Sequence, residues 1–335
     1  MQISVLNAAH VEQAVLPERA LDAVRDAFVA YARGEWTMPS KVYVPAYPAG
    51  DFRAMPALGA GHALLKWVTS FPGNPDLGLP TVMGLVLLSD ASNGAPKAVL
   101  DAGAVTALRT GAAAVLAAKT LAREDWETTA VVGTGVNGQA AARTFSALGR
   151  QPVLFDLDRE RACAAAEKTG GTVAESPEQA LGADVVVTVT PARKVLFEEG
   201  ALRPGQHVSL MGADGPGKAE IAVEELLARV RVFCDDWVES DLSGTRTPEP
   251  RVRVFCDDWE QARHGGDLRN AVEAGVLGRE DVTQLGDVLA GTASGRQHPD
   301  DITIFDSTGL AIQDLAIALA GMERAGELRL PTIEL

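Results

Sequence analysis

A glycine-rich turn between two apolar runs constrains this chain more than any other stretch. The first run covers residues 129–132, and the turn after it reads Gly133-Thr134-Gly135-Val136-Asn137-Gly138. An alanine-rich segment to residue 148 and a second apolar run to residue 155 predict the order strand, turn, helix, strand. Gly133 would permit the tight turn, Gly135 would let a pyrophosphate approach, and Gly138 would let helix and strand pack closely. This pattern favours a dinucleotide site over a purely structural turn.

An acidic residue follows the second strand of this unit. Asp156 lies 23 residues after Gly133, where a carboxylate can accept hydrogen bonds from an adenosine ribose. Its negative charge would repel a 2′-phosphate, so we predict NAD rather than NADP as the cofactor. Arg159 is close enough in sequence to weaken this preference.

The composition limits the classes of function. Of 335 residues, 30 are basic and 45 acidic, which gives a formal net charge of −15 and argues against binding to nucleic acid or to an anionic membrane surface. The three cysteines are too scattered for a disulfide framework, and the apolar runs are too short to span a bilayer. The histidines never fall at paired metal-ligand spacing. We therefore expect a cytoplasmic protein without a metal site.

The order of apolar runs predicts two domains. Residues 41–88 are typical of a mostly antiparallel sheet, and residues 101–122 of an alanine-rich helix that leads into the glycine turn unit. Further helices and strands alternate after that unit, as in a parallel, doubly wound sheet. The expected fold is α/β, with a Rossmann-type domain at residues 114–311. A second, α+β domain would comprise residues 1–113 and 312–335.

Ligands of open α/β sheets bind at the carboxyl ends of the strands. The residues that we expect over the cofactor at these ends are Thr188, Thr190, Met211, Gly212 and Asp214. The stretch from Gly212 to Lys218 nearly spells a phosphate-binding P-loop. However, Ala219 stands where a magnesium-binding hydroxyl is needed, and Asp214 would place a negative charge in the phosphate cradle. A nucleotide hydrolase is therefore disfavoured.

Several motifs, in order along the chain, carry a resemblance to a known family. They are Lys66-Trp67-Val68 with Phe71-Pro72-Gly73-Asn74, Gly78-Leu79-Pro80-Thr81, Asp90 with Gly94 and Pro96, Leu108-Arg109-Thr110-Gly111-Ala112, residues 212–218 with Glu220, and Phe305-Asp306-Ser307-Thr308-Gly309 with Asp314. From about residue 38 to residue 320 the chain resembles the ornithine cyclodeaminase/mu-crystallin family. The resemblance implies a homodimer whose non-Rossmann domain supplies the subunit interface and half of the active site.

The resemblance also implies roles for individual residues. Lys66 and Arg109 match positions that hold the substrate carboxylate, and Thr308 matches a substrate-facing one. Asp214 matches a catalytic carboxylate that takes a proton from the substrate amine, and we assign Lys66 to catalysis with it. If these residues are only structural, Lys66 would form a surface ion pair, Arg109 would be an ordinary helix residue, and Asp214 would cap a glycine turn. Positions that contact the cofactor are matched by Thr81, Arg109, Thr110, Val136, Asn137, Asp156, Lys218 and Ser307.

Two substrate-binding positions depart from the cyclodeaminase pattern. Lys41 stands where those enzymes have an arginine that helps to bind the substrate carboxylate, and a lysine cannot make the planar two-pronged contact. Arg53 stands where they have an acidic residue before a Met-Pro pair, here Met55-Pro56. An arginine there would repel the second amino group of ornithine, which puts specificity for a diamine in doubt.

The resemblance and these residues together predict an NAD-dependent oxidoreductase that transfers hydride at the α-carbon of a small amino or imino acid. An alanine dehydrogenase and a reductase of cyclic imines such as pyrroline-2-carboxylate both fit. One alternative is a redox-neutral ornithine cyclodeaminase, which releases ammonia and proline. The other is a non-enzymatic dinucleotide-binding protein like mu-crystallin, which the joint presence of Lys66, Arg109 and Asp214 disfavours.

A duplication is not explained by the resemblance. Residues 229–237 recur letter for letter as residues 251–259, offset by 22 positions. A single pair of copies is not a solenoid, and the family pattern has one strand in this region. We therefore predict that one copy forms a strand of the parallel sheet, and that the other is a mobile surface segment that catalysis does not need. We expect the first copy to form the strand, because its connection to the preceding helix is undisturbed.

Overall fold

The described residues form two compact units. This computed structural model describes residues 2–191, 193–213, 215, 217–230 and 251–334. Unit 1 comprises Met1–Ala113 and Gly309–Leu335, and unit 2 comprises Ala114–Thr308. The division expected from the sequence has the same first boundary and places the second one three residues later.

Unit 1 contains a seven-stranded sheet. Its strands are β1 (Gln2–Leu6), β2 (Val42–Ala46), β3 (Gly50–Gly59), β4 (His62–Ser70), β5 (Val82–Asp90), β6 (Pro96–Asp101) and β15 (Thr332–Glu334). The sheet order is β15-β1-β6-β5-β4-β3-β2, with β1 parallel to β6 and the other pairs antiparallel. Its helices are α1 (Ala8–Ala14), α2 (Pro17–Ala32), the first part of α3 (Ala102–Leu121), α11 (Ala311–Glu323) and the 3₁₀ turns Asn74–Leu77 and Ala325–Glu327.

The two faces of this sheet differ in character. On β4, Lys66 and Val68 are buried whereas Leu65 and Trp67 are about 40% exposed, as expected for side chains that alternate along a strand. The buried face packs against α11, which contacts β3, β4 and β5. On the opposite face, apolar side chains of β2, β4 and β5 remain exposed in this single chain.

Unit 2 is a parallel, doubly wound sheet. Its strands are β7 (Thr129–Val132), β8 (Val153–Phe155), β9 (Thr172–Val173), β10 (Val185–Thr188), β11 (His207–Leu210), β12 (Val252–Cys256), β13 (Val282–Gln284) and β14 (Ile302–Asp306). The order is β13-β12-β14-β11-β10-β7-β8-β9, and all pairs are parallel. Its helices, besides the second part of α3, are α4 (Val136–Ala147), α5 (Arg159–Thr169), α6 (Pro177–Leu181), α7 (Val223–Val230), α8 (Trp259–Gly265), α9 (Arg269–Glu273), α10 (Leu285–Leu289) and the 3₁₀ turn Arg279–Asp281.

The predicted fold class is confirmed. Every residue of β7, β10, β11 and β14 is buried, and β7 and β10 accordingly read as short, nearly continuous apolar runs in the sequence. The strand order reverses between β7 and β10, and ligands of such sheets bind at that point, beyond the carboxyl ends of the strands. None of the helices in the described stretches is long and apolar enough to cross a membrane.

The duplicated segment corrects one prediction. The second copy, not the first, forms β12, which pairs with β14 from Val252 to Cys256 and also with β13. The first copy begins inside α7, so its residues Arg229 and Val230 are helical rather than extended. In the second copy Asp258 caps α8 by accepting a hydrogen bond from the Gln261 N–H at 3.0 Å. The rest of the first copy lies outside the described residues.

Candidate active site

The glycine turn leaves room for a ligand at the start of α4. Gly133 has φ +93°, and a Cβ there would lie 2.5 Å from the carbonyl oxygen of Val189. A Cβ on Gly138 would collide with the carbonyl oxygen of Gly133, whereas Gly135 has open space around it. Gly135 is also the N-cap of α4. This 12-residue helix therefore begins at an open position, and free backbone N–H groups at a helix N-terminus suit a phosphate group.

Asp156 is oriented by the same turn. Its Oδ2 accepts hydrogen bonds from the backbone N–H and the hydroxyl of Thr134, each at 2.9 Å, and its Oδ1 accepts one from the Asp158 N–H at 3.0 Å. Burial raises the pKa of Asp156, but these hydrogen bonds outweigh it and hold the pKa below its usual value. The nearest cation is Arg161, 4.0 Å from Oδ1, and not Arg159. An ionised, fixed carboxylate at this place suits a ribose diol.

Glu220 connects the carboxyl ends of strands β10 and β11 through hydrogen bonds. It accepts hydrogen bonds from the hydroxyls of Thr188 (2.6 Å) and Thr190 (2.5 Å), and from the N–H groups of Thr190 and Gly212 at 3.1 Å. Thr188 is completely buried. Its hydroxyl therefore serves to hold Glu220, which was not predicted as a site residue.

Glu220 belongs to a group of buried acids. The backbone N–H of Glu220 donates to Asp267, and the Leu268 N–H donates to Asp306 at 3.1 Å. Burial is the largest cause that raises the pKa of all three acids. For Asp267, burial and the neighbouring Glu220 carboxyl group together raise the pKa to about 8. Among the described residues, no lysine or arginine forms a salt bridge with these acids. We name Glu220, Asp267 and Asp306 the acid group.

Asp257, from the second copy of the duplicated segment, anchors the residues after β14. Ser307 donates its hydroxyl to Asp257 Oδ2 at 3.1 Å, and Thr308 donates to Oδ1 at 3.3 Å. Both hydroxyls were predicted to face ligands. Asp257 was missed, because only pairing of β12 with β14 brings it beside them.

Unit 1 contains a buried cluster of charges on the inner face of its sheet. Lys66 Nζ donates to Asp314 Oδ1 at 2.9 Å, and Arg109 Nε lies 3.6 Å from the same oxygen. The side chains of Lys66, Asp314 and Arg109 are 1%, 0% and 12% exposed. Burial lowers the pKa of Lys66 to about 8; Asp314 opposes the shift, and the positive charges of Arg109 and Arg53 add to it. We name Lys66, Arg109 and Asp314 the cation cluster.

Asp314 was part of a recognised motif but was not predicted as a site residue. The signal was present in the sequence, since Asp314 is the one charged residue of the largely apolar segment Ala311-Ile312-Gln313-Asp314-Leu315-Ala316-Ile317. An acid on a buried helix face needs a partner. The sequence does not show which one, because 248 positions separate Asp314 from Lys66.

Gly309 makes room for the cation cluster. It has φ +77°, and a Cβ added to it would lie 2.5 Å from Nη1 of Arg109. Any side chain at this position would therefore displace the guanidinium.

The remaining predicted residues are distributed as follows. Two of them belong to unit 1, namely Thr81 just before β5 and Thr110 on α3. Within the described part of the chain, the buried hydroxyl of Thr110 has no hydrogen-bond partner. Met211 is buried after β11, and Lys41, Asn137 and Lys218 are partly exposed. Asp214, the predicted catalytic carboxylate, lies outside the described residues. The described residues contain no group of three His, Cys, Asp or Glu side chains that could hold a metal ion.

Comparison with known proteins agrees with this geometry. A sequence model of the ornithine cyclodeaminase/mu-crystallin family matches residues 1–247 and 249–327. The chain belongs to this family. The family resemblance noted in the sequence is thereby confirmed.

Individual members of the ornithine cyclodeaminase/mu-crystallin family differ in their similarity to the chain. An alanine dehydrogenase of Archaeoglobus fulgidus is 41% identical over 335 residues, which cover 97% of this chain and 96% of that protein. An ornithine cyclodeaminase of Agrobacterium tumefaciens is 34% identical over 285 residues, 80% of this chain and 70% of that protein. The solved structure of an archaeal alanine dehydrogenase dimer with bound NAD superposes with a TM-score of 0.88 at 38% identity, covering all of both chains.

Proposed function

We propose that this protein is an NAD-dependent oxidoreductase that transfers hydride at the α-carbon of a small amino or imino acid, in the manner of an alanine dehydrogenase. The cation cluster carries the proposal. Lys66 and Arg109 bring two positive charges to one buried place, and Asp314 supplies one negative charge. One substrate carboxylate would balance the charge that remains, and buried charges need such pairing.

The cation cluster can bind and orient a substrate in two ways. Arg109 offers a planar group that suits a carboxylate. Lys66 can donate a hydrogen bond and, with a pKa of about 8, can exchange a proton near neutral pH. The predicted acceptor of the substrate's amine proton is Asp214.

The cofactor proposal depends on unit 2. The open space before α4 and the ionised Asp156 fit the pyrophosphate and adenosine ribose of NAD, and the alanine dehydrogenase structure noted above contains NAD. The Asp156 charge favours NAD over NADP. When bound, the nicotinamide supplies or accepts the hydride, and the chain's own residues bind and orient the substrate.

We propose in addition that the protein is a homodimer. The outer face of the unit 1 sheet exposes Leu65, Trp67, Leu85 and Leu87 at 38 to 52%, and contiguous apolar faces of this kind are typical of subunit interfaces. The related alanine dehydrogenase structure is a dimer. We place the reaction in the cytoplasm, in agreement with the free cysteines Cys163 and Cys256.

A panel assay tests the proposed function. The protein is incubated with NAD and single amino acids while NADH absorbance and ammonia are followed together, and separately with NADH and cyclic imines. We expect NADH and ammonia to appear together with a small amino acid such as alanine. Ammonia without net NADH would instead indicate a cyclodeaminase, and consumption of NADH with pyrroline-2-carboxylate a cyclic-imine reductase. NAD binding without any turnover would contradict the proposal and favour a binding protein.

A further inference from the structure

A second ion pair lies beside the cation cluster, on the same face of the sheet. Met55 on β3 pairs with Lys66 on β4, and Arg53 lies two residues from Met55 along β3. Residues two apart on a strand point to the same face, so Arg53 is a diagonal neighbour of Lys66. The charge of Arg53 accordingly contributes to the lowered pKa of Lys66.

Arg53 is held on two sides. Its Nε donates to Asp51 Oδ1 at 2.5 Å, and its Nη2 donates to Asp51 Oδ2 at 3.2 Å. The guanidinium carbon also lies 5.3 Å from the centre of the Tyr43 ring, on the neighbouring strand β2. The side chains of Arg53 and Asp51 are only 11% and 10% exposed. This two-point contact fixes the guanidinium and matches its charge with a carboxylate from the same strand.

We infer that the Asp51–Arg53 pair forms a charge-neutral subsite for the substrate side chain, so that the substrate carries one carboxylate and an uncharged side chain. This inference rests on the proposed function. A second substrate carboxylate would have to replace Asp51 at Arg53, and a second amino group would have to replace Arg53 at Asp51. Both replacements leave a nearly buried charge without its partner, which is unfavourable.

The inference revises the reason for excluding a diamine. From the sequence, Arg53 was expected to repel the second amino group of ornithine. In the structure Asp51 and Arg53 are paired with each other. A second amino group of a substrate would have to displace Arg53 from Asp51, and a second carboxylate would have to displace Asp51 from Arg53. The pair therefore disfavours dicarboxylic substrates as well as diamines. Asp51 thereby becomes a residue that determines specificity.

The Asp51→Asn variant tests the inference by removing the negative charge that Arg53 contacts in the pair. Activity is measured with NADH, ammonia and a 2-oxo acid. The acid and ammonia condense to an imine with loss of water, and imine, NADH and a proton yield the amino acid and NAD. The wild type should prefer pyruvate to oxaloacetate. In Asp51→Asn the ratio of kcat/KM for oxaloacetate to that for pyruvate should rise at least tenfold, with unchanged affinity for NADH.

Two further variants identify the cause of such a change. Asp22→Asn removes an exposed carboxylate on α2 that lies 3.8 Å from Arg25, and should leave the ratio unchanged. The double variant Asp51→Asn/Arg53→Met should lose the gain with oxaloacetate, because the positive charge of Arg53 is gone. A gain that persists in the double variant would overturn the assignment to Arg53.

Failure of the inference can be distinguished from failure of the proposed function. If the wild type turns over amino or imino acids but prefers oxaloacetate, or if folded Asp51→Asn keeps the wild-type ratio, the neutral subsite is wrong and the oxidoreductase stands. If the wild type reduces no imine, both are wrong. Should Asp51→Asn not fold, propionate and succinate are compared as inhibitors of the wild type. Succinate should bind no better than propionate, and tenfold tighter binding would overturn the inference.

Discussion

The two units bury charged groups in opposite ways. In the cation cluster of unit 1, two cations share one carboxylate, so the charges persist and one positive charge remains. In the acid group of unit 2, burial and the neighbouring carboxyl group raise the pKa of Asp267 to about 8. Burial thus favours the protonated, uncharged form of all three acids, and no lysine or arginine among the described residues forms a salt bridge with them. The cation cluster can therefore attract an anionic substrate, whereas the acid group serves to join strand ends.

The largest effect should come from Asp314→Asn, which breaks the cation cluster. Loss of the shared carboxylate leaves two buried cations without a partner, and such losses cost about 3–5 kcal/mol of unfolding free energy. Lys66 can relieve part of this cost by releasing its proton, because without Asp314 its pKa falls further below 8. Urea unfolding should therefore show a larger loss at pH 6 than at pH 9.

The control for this prediction is Asp22→Asn, whose carboxylate is exposed on α2. It should change the unfolding free energy by less than about 0.5 kcal/mol. A loss equally small in Asp314→Asn would show that the cation cluster does not depend on Asp314.

A separate, pH-dependent effect is expected for Asp267→Asn. The unfolded chain releases this proton near pH 4 and the folded chain near pH 8. Between these values only the folded state holds the proton, so rising pH favours unfolding by about 1.4 kcal/mol per unit. Below pH 4 this contribution is complete, and above pH 8 it is lost. An amide cannot ionise, so unfolding curves at pH 5, 6.5 and 8 should show a weaker decline in the variant. If the decline matches that of the wild type, Asp267 is not the titrating group.

The smallest effect should come from deleting residues 238–259. Because the two copies are identical, this deletion and a deletion of residues 229–250 give the same protein, with one copy between the helix-forming residues on either side. The remaining copy can form β12 and supply the carboxylate of Asp257. The deletion variant should therefore keep the activity and the stability of the full chain. An insoluble or inactive product would show that residues 231–250 are required.

Substitutions in single copies sharpen this test. Phe255 is 1% exposed in β12, and replacing a buried phenylalanine by alanine costs about 3–5 kcal/mol. Phe255→Ala should therefore destabilise the protein, whereas Phe233→Ala, the same change in the first copy, should not. Equal losses in both variants would contradict the assignment of the second copy to the sheet.

Features set by local sequence could be predicted. The turn from Gly133 to Gly138 and the strand before Asp156 follow from glycine spacing and apolar runs, and Lys66 and Arg109 were indicated by their motifs. The partners of these cations were not predictable, because Asp314 is distant in sequence and the Asp51–Arg53 contact depends on side-chain geometry. The choice between two identical copies was wrong, because the local sequence is the same in both and does not indicate which copy pairs with β14.

Gly309 shows that the absence of a side chain at one residue can determine where a charged side chain lies. Its missing Cβ is the space in which the Arg109 guanidinium lies. A related chain with any larger residue at this position would have to place its arginine elsewhere, even if every charged residue were retained. A substitution at this glycine would therefore move the arginine without changing any charged residue.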